Sequence, residues 1–142
     1  MTTKQIQLVK NSWSLVAQMD PVTVGDLFYN RLFDIMPEVK PLFRHAMMPE
    51  QSKKLLSMIG YVINKLDRLD DILDEVSKLA QRHVSYGVRE AHYYGVGSAL
   101  LWTLQQGLGE QWTDEVETSW TVCYDMLSSA MIQASSVPGK VA

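Results

Sequence analysis

Apolar side chains recur at intervals of three and four residues through most of the chain, and nowhere with the strict alternation of a half-buried strand. This pattern predicts an all-α protein with about seven elements of unequal length. Ile6, Val9, Trp13, Val16 and Ala17 share one side of a first helix expected to end near Met19, with Lys4, Gln7, Lys10 and Asn11 opposite. Asp20-Pro21 then supplies a capping carboxylate followed by proline at a first helical position. The second helix directs Val24, Leu27, Phe28, Leu32 and Ile35 inward and stops before Pro37. Residues 37–43 hold two prolines and read as a tight helical turn, and residues 44–48 read as a loop.

Pro49 opens the next helix, whose stripe is Leu55, Met58, Ile59, Val62, Ile63 and Leu66. An acidic break, Asp67 to Asp71, suits the positive end of the helix that follows. That helix carries Ile72, Val76, Leu79 and His83 on one face and closes at Gly87. Another long helix has Tyr93, Val96, Ala99, Leu100, Thr103 and Leu104 on its stripe and ends at Gly107-Leu108-Gly109. Thr113 caps the last helix, which turns Val116, Trp120, Cys123, Leu127, Ala130 and Met131 inward. The tail, 136–142, is expected to fray.

His83 stands where the stripe calls for another leucine or valine. A buried imidazole without a partner costs a few kcal/mol. Residue type alone leaves two readings: a core histidine hydrogen-bonded to a neighbour, or an axial ligand to a haem iron. Composition narrows the alternatives little. A chain of 142 residues, 46% hydrophobic and 20% charged, suits one globular domain spanning 1–142. A net charge of −3 without a basic cluster argues against nucleic acid or an anionic membrane as partner. Cys123 alone makes neither an internal disulfide nor a metal-binding pair. No leader segment or membrane span is expected, which suits a cytoplasmic protein.

Several motifs fail on context. Gly95-Val96-Gly97 lies inside a helical stripe and follows no strand, so close helix approach explains it better than a dinucleotide fingerprint. HExxH, CxxC and serine-elbow patterns are missing, and the eight methionines are scattered as core filling.

A set of short matches in fixed order does carry a resemblance. They are Phe28-Tyr29-Asn30-Arg31-Leu32-Phe33, Pro37-Glu38-Val39-Lys40-Pro41-Leu42-Phe43, Gln51 four before Leu55, Arg82-His83-x-x-Tyr86-Gly87-Val88, Ala91-His92-Tyr93-Tyr94-x-Val96-Gly97, and Trp120-x-x-x-Tyr124. From the first helix to about Ala134 the chain resembles bacterial single-domain globins, on the branch shared with flavohaemoglobin globin domains and neuroglobin-like bacterial globins. The resemblance implies a globin fold, three helices over three around a haem pocket, with haem b as cofactor.

It further implies that His83 is the proximal iron ligand, its second nitrogen oriented by the Leu79 carbonyl one turn back. His45, in the proline-flanked loop, and His92, at a helix start, are weaker candidates. Phe43, Leu55, Met58, Val88, Tyr93 and Val96 become pocket walls, and Lys54 and Arg82 partners of the haem propionates. On the distal side Gln51 stands where many globins have histidine, and Tyr29 supplies a hydroxyl; Leu55 completes that wall. Gln51 either joins the Tyr29 hydrogen bond or gates access. A donor aimed at bound oxygen is worth about 1–3 kcal/mol, roughly ten- to a hundred-fold in affinity. One departure stands out: Ser135 occupies the place of the glutamate that joins tyrosine and proximal histidine in flavohaemoglobins.

The expectation is a monomeric or homodimeric globin that reversibly binds O2, and also CO and NO, for oxygen binding, storage or transport. The competing readings are a nitric oxide dioxygenase fed by a separate reductase, and a haem-based gas sensor.

Overall fold

A computed structural model describes residues 1–85 and 87–135. Tyr86 of the resemblance motif and the tail expected to fray lie outside the described residues. Six α-helices follow one another: α1 Thr3–Val16, α2 Pro21–Ile35, α3 Met48–Asn64, α4 Leu73–Ser85, α5 Glu90–Leu108 and α6 Asp114–Ser135. Short 3-10 segments occupy Pro37–Phe43, Leu66–Ile72 and Gly109–Gln111, and the described residues contain no strand.

Local chemistry sets the boundaries. Thr2 and Gln5 form a reciprocal capping box at α1, each side chain accepting from the other's backbone N–H at 3.1 and 2.9 Å. Asp20 caps α2 by accepting from the Thr23 N–H, with Pro21 at the first helical position. Thr113 accepts from the Val116 N–H at 3.2 Å to start α6. Gly109 ends α5 at φ +54°, where a side chain would be strained.

α2 packs on α3 and α5, and α6 packs on α1 and α4, the layered arrangement that the resemblance implies. One core cluster joins Val9, Trp13, Val16, Leu56, Leu104 and Trp120; a second, smaller one joins Phe28, Tyr29, Leu32, Met36, Val39 and Ala99. Gly95 and Gly97 make room for neighbouring side chains, where close approach of two helices was expected. An added Cβ at Gly95 would fall 1.7 Å from the Met36 sulfur, and one at Gly97 would fall 2.4 Å from the Tyr124 ring.

Some expectations need correction. α1 stops at Val16, and residues 17–19 turn through a Met19 N–H to Val16 carbonyl bond. Leu27 and Ile35 are exposed, not inward. α2 packs against both α3 and α5, so its buried arc passes through Val24, Gly25, Phe28, Tyr29 and Leu32. In α3 the buried positions are Ser52, Leu56 and Ile63, and Met58 is exposed on the side turned toward α4. Leu66 and the acidic break belong to a 3-10 segment kinked at Arg68 (φ −142°, ψ 44°) and tied to α1 by a 3.0 Å Lys10–Asp67 ion pair.

One buried polar chain holds α1 to α6. The Trp120 indole N–H donates to the Ser12 hydroxyl at 2.8 Å, which donates to the Leu8 carbonyl at 2.7 Å. Ser12→Ala strands the indole donor in the core and should destabilise the fold by about 1–3 kcal/mol. Chemical denaturation measures this, and an unchanged midpoint would show that the bond contributes nothing.

Candidate functional site

Tyr29 projects from the middle of α2 and is 4% exposed. Its ring meets Phe28 edge-on at 5.0 Å, Phe43 edge-on at 5.3 Å and Phe33 at 6.0 Å between centroids. These rings fix the tyrosine while leaving its polar end to the neighbouring helix. There the Gln51 side-chain amide donates to the Tyr29 hydroxyl oxygen at 3.2 Å. Of the two roles left open for Gln51, joining the Tyr29 hydrogen bond is the one observed. The hydroxyl oxygen thus has a donor, and its own proton remains for a further acceptor. Burial pushes the Tyr29 hydroxyl above its usual pKa, with Gln51 acting in the opposite direction, so it stays protonated at neutral pH.

The other wall is α4. His83 Nδ1 lies 2.8 Å from the Leu79 carbonyl oxygen, the acceptor expected from the spacing. With Nδ1–H donating there, Nε2 is the unprotonated nitrogen and carries a lone pair. Burial lowers the His83 pKa, the Leu79 bond opposes that, and the charge of Arg82 adds to the lowering. The Tyr93 ring stacks beside the imidazole at 6.5 Å and 21°. Tyr93 is itself placed by α6, whose Tyr124 hydroxyl donates to the Tyr93 carbonyl at 2.5 Å. Ser135 turns back on its own helix and donates to the Ile132 carbonyl at 2.9 Å.

Between α3 and α4 lies a cavity of about 250 Å³, with Met58, Tyr61 and Val62 on one side and Glu75, Lys78, Leu79 and Arg82 on the other; Gln51 and His83 lie beyond its lining. Helical periodicity extends both walls. Gln51 precedes Met58 by two turns on the same side of α3, and His83 follows Leu79 by one turn on α4. Leu55 is half-buried between the two core clusters, and Val96 packs against the second. Val88 is half-buried in the turn after α4. Lys54 is exposed on α3, and Arg82 is exposed at the rim of the cavity. The two other histidines are committed elsewhere: His45 accepts from Arg44 Nε at 3.3 Å, and His92 Nδ1 accepts from the Arg89 N–H at 3.0 Å.

This donor set fits haem. Among the described residues no three His, Cys, Asp or Glu side chains gather as a site for a bare ion. A single neutral histidine, without other donors gathered around it among the described residues, suits a metal whose remaining ligands come from a macrocycle. The spacing arguments left Phe33, Tyr124 and the Tyr61–Glu75 hydrogen bond between α3 and α4 without a role. Phe33 lies four residues after Tyr29, and that offset is the signal that could have placed it beside the tyrosine. Tyr61 and Glu75 meet only through the tertiary fold, and neither carries a spacing signal.

Comparison with known proteins agrees. The Globin family model matches residues 26–131. A flavohemoprotein of Vibrio cholerae is 30% identical over 134 residues, which cover 93% of this chain but 34% of that relative. The chain therefore spans about a third of the length of the curated relatives it matches. A bacterial globin from Campylobacter jejuni has 29% identity and a TM-score of 0.81, covering 94% of this chain and 96% of the other. An engineered carbene transferase from Rhodothermus marinus, described as a candidate nitric oxide dioxygenase, shares the fold at a TM-score of 0.85 and 23% identity, covering 99% and 97%. With the helical order, the two walls of the cleft and these matches in agreement, the chain belongs to the globin family.

Proposed function

We propose that the protein is a cytoplasmic haem b globin that binds O2 reversibly and tightly, for oxygen binding, storage or delivery. The observation that carries this reading is the Gln51–Tyr29 hydrogen bond, which occupies the tyrosine oxygen and leaves its proton for a ligand. Haem, when bound, would supply an iron that binds diatomic gases. His83 would hold it through Nε2, with Leu79 fixing the tautomer. Phe43, Leu55, Val88, Tyr93 and Val96 would wall the macrocycle, Met58 would border its inner edge, and Lys54 and Arg82 would reach its carboxylates.

Tyr29 and Gln51 would act together. A small oxygen ligand gains partial negative charge, and a buried neutral hydroxyl stabilises it without the cost of burying an ion. The amide of Gln51 polarises that hydroxyl and keeps it from turning toward solvent. On the proximal side Ser135 offers no carboxylate to the His83–Tyr93 pair, which favours reversible binding over oxygen activation.

The flavohemoprotein relatives support a second reading, nitric oxide dioxygenation with electrons from a separate reductase. Sustained turnover of nitric oxide to nitrate with a cellular electron donor would favour it, whereas a single stoichiometric conversion is what a simple oxygen carrier also gives.

Tyr29→Phe keeps the ring and removes the donor, and should speed O2 dissociation about ten- to a hundred-fold. Stopped-flow kinetics measure it; an unchanged off-rate would remove Tyr29 from this role. His83→Ala should abolish or greatly weaken haem retention on gel filtration, and full retention would reassign the proximal ligand.

A further inference from the structure

α2 and α3 approach closely one residue from Gln51 and one helical turn from Tyr29. An added Cβ at Gly25 would fall 2.0 Å from the Ser52 hydroxyl oxygen, 2.1 Å from its Cβ and 2.9 Å from its backbone Cα. The last distance means that no side-chain rotation makes room; the helices would have to separate. Ser52 is fully buried, and its hydroxyl has no hydrogen-bond partner. That is unusual in this chain. Ser12, Thr103, Ser119 and Thr121 all return a proton to a carbonyl four residues back on their own helix. Ser52 is pressed against the bare Gly25 backbone instead. A fold that tolerates an unsatisfied buried hydroxyl there has a close crossing to preserve.

Gly25 precedes Tyr29 by four residues on the same side of α2, and Ser52 follows Gln51 directly. The Gln51–Tyr29 bond, at 3.2 Å, is already toward the long end for a hydrogen bond, so a small separation of the helices breaks it. We propose that Gly25 and Ser52 are positioning residues for the distal pair: their contact sets the distance across which Gln51 holds the Tyr29 hydroxyl. The inference rests on the haem reading above. It adds that ligand retention is set by a helix crossing that touches neither ligand nor haem.

The test compares haem-loaded Gly25→Ala, Gly25→Ala with Ser52→Gly, Ser52→Thr and Gln51→Leu. The readouts are O2 dissociation and the infrared stretch of CO, used as a probe of hydrogen-bond donation in the ferrous protein. Gly25→Ala should release O2 about ten-fold faster, the effect of losing one hydrogen bond, and shift the CO band toward that of Gln51→Leu. Adding Ser52→Gly removes the two shortest contacts and leaves only the one at 2.9 Å with the backbone Cα, so it should bring both readouts most of the way back. Ser52→Thr, which adds one methyl group and is more certain to fold, should move both in the same direction by a smaller amount. Wild-type rates and CO bands in folded, haem-loaded Gly25→Ala and Ser52→Thr would overturn the proposal. So would a folded, haem-loaded double variant no nearer to the wild type than Gly25→Ala alone. Failure of the wild-type protein to take up haem would instead overturn the reading on which the proposal rests.

Discussion

A histidine can serve as a neutral ligand only if one nitrogen is given a fixed task, and in this fold a helix carbonyl supplies it. Leu79 lies one turn before His83 on α4, and its carbonyl accepts at 2.8 Å from Nδ1. Everything else on that side serves the same orientation. Tyr93 stacks on the ring, Tyr124 ties the Tyr93 backbone to α6, and the Gln81 amide donates to the Ala134 carbonyl at 3.0 Å, holding α4 to the far end of α6. α4 packs chiefly on α6, so the position of the imidazole is inherited from the longest helix in the chain.

The opposite wall is built differently. Tyr29 is fixed by three aromatic rings and by one amide from the next helix, an arrangement that buries a hydroxyl yet leaves it a proton to give. The two walls divide the work: α4 and α6 would hold the cofactor, and α2 and α3 would decide how long a ligand stays. The serine at 135 sharpens that division. It bonds within α6, and His83 is oriented by the neutral Leu79 carbonyl.

Most of the fold was legible because its cues are local. Asp20-Pro21, Thr113 and Gly109 mark boundaries through bonds or dihedrals within a few residues, and the structure places them where those cues predict. The buried arc of α2 was less legible. Leu27 and Ile35 fit a single apolar stripe, but a helix packed between α3 and α5 turns its small and aromatic positions inward instead. Met58 misled for a related reason: a side chain facing the cavity between α3 and α4 has the hydrophobicity of a core residue without core packing. His83 and its Leu79 partner could be read from a spacing of four. The Tyr29–Gln51 pair, 22 positions apart, became visible only through family resemblance, because no periodicity links residues on different helices. The crossing at Gly25 and Ser52 escaped both, since small residues leave no mark in a hydrophobic pattern.

The central claim is that these two walls enclose haem with His83 as its single protein ligand on the proximal side. An absorption titration of the purified protein with haem tests it most directly. An intense haem band should appear and saturate at one equivalent per chain. A protein that develops no such band at any haem concentration would contradict the claim.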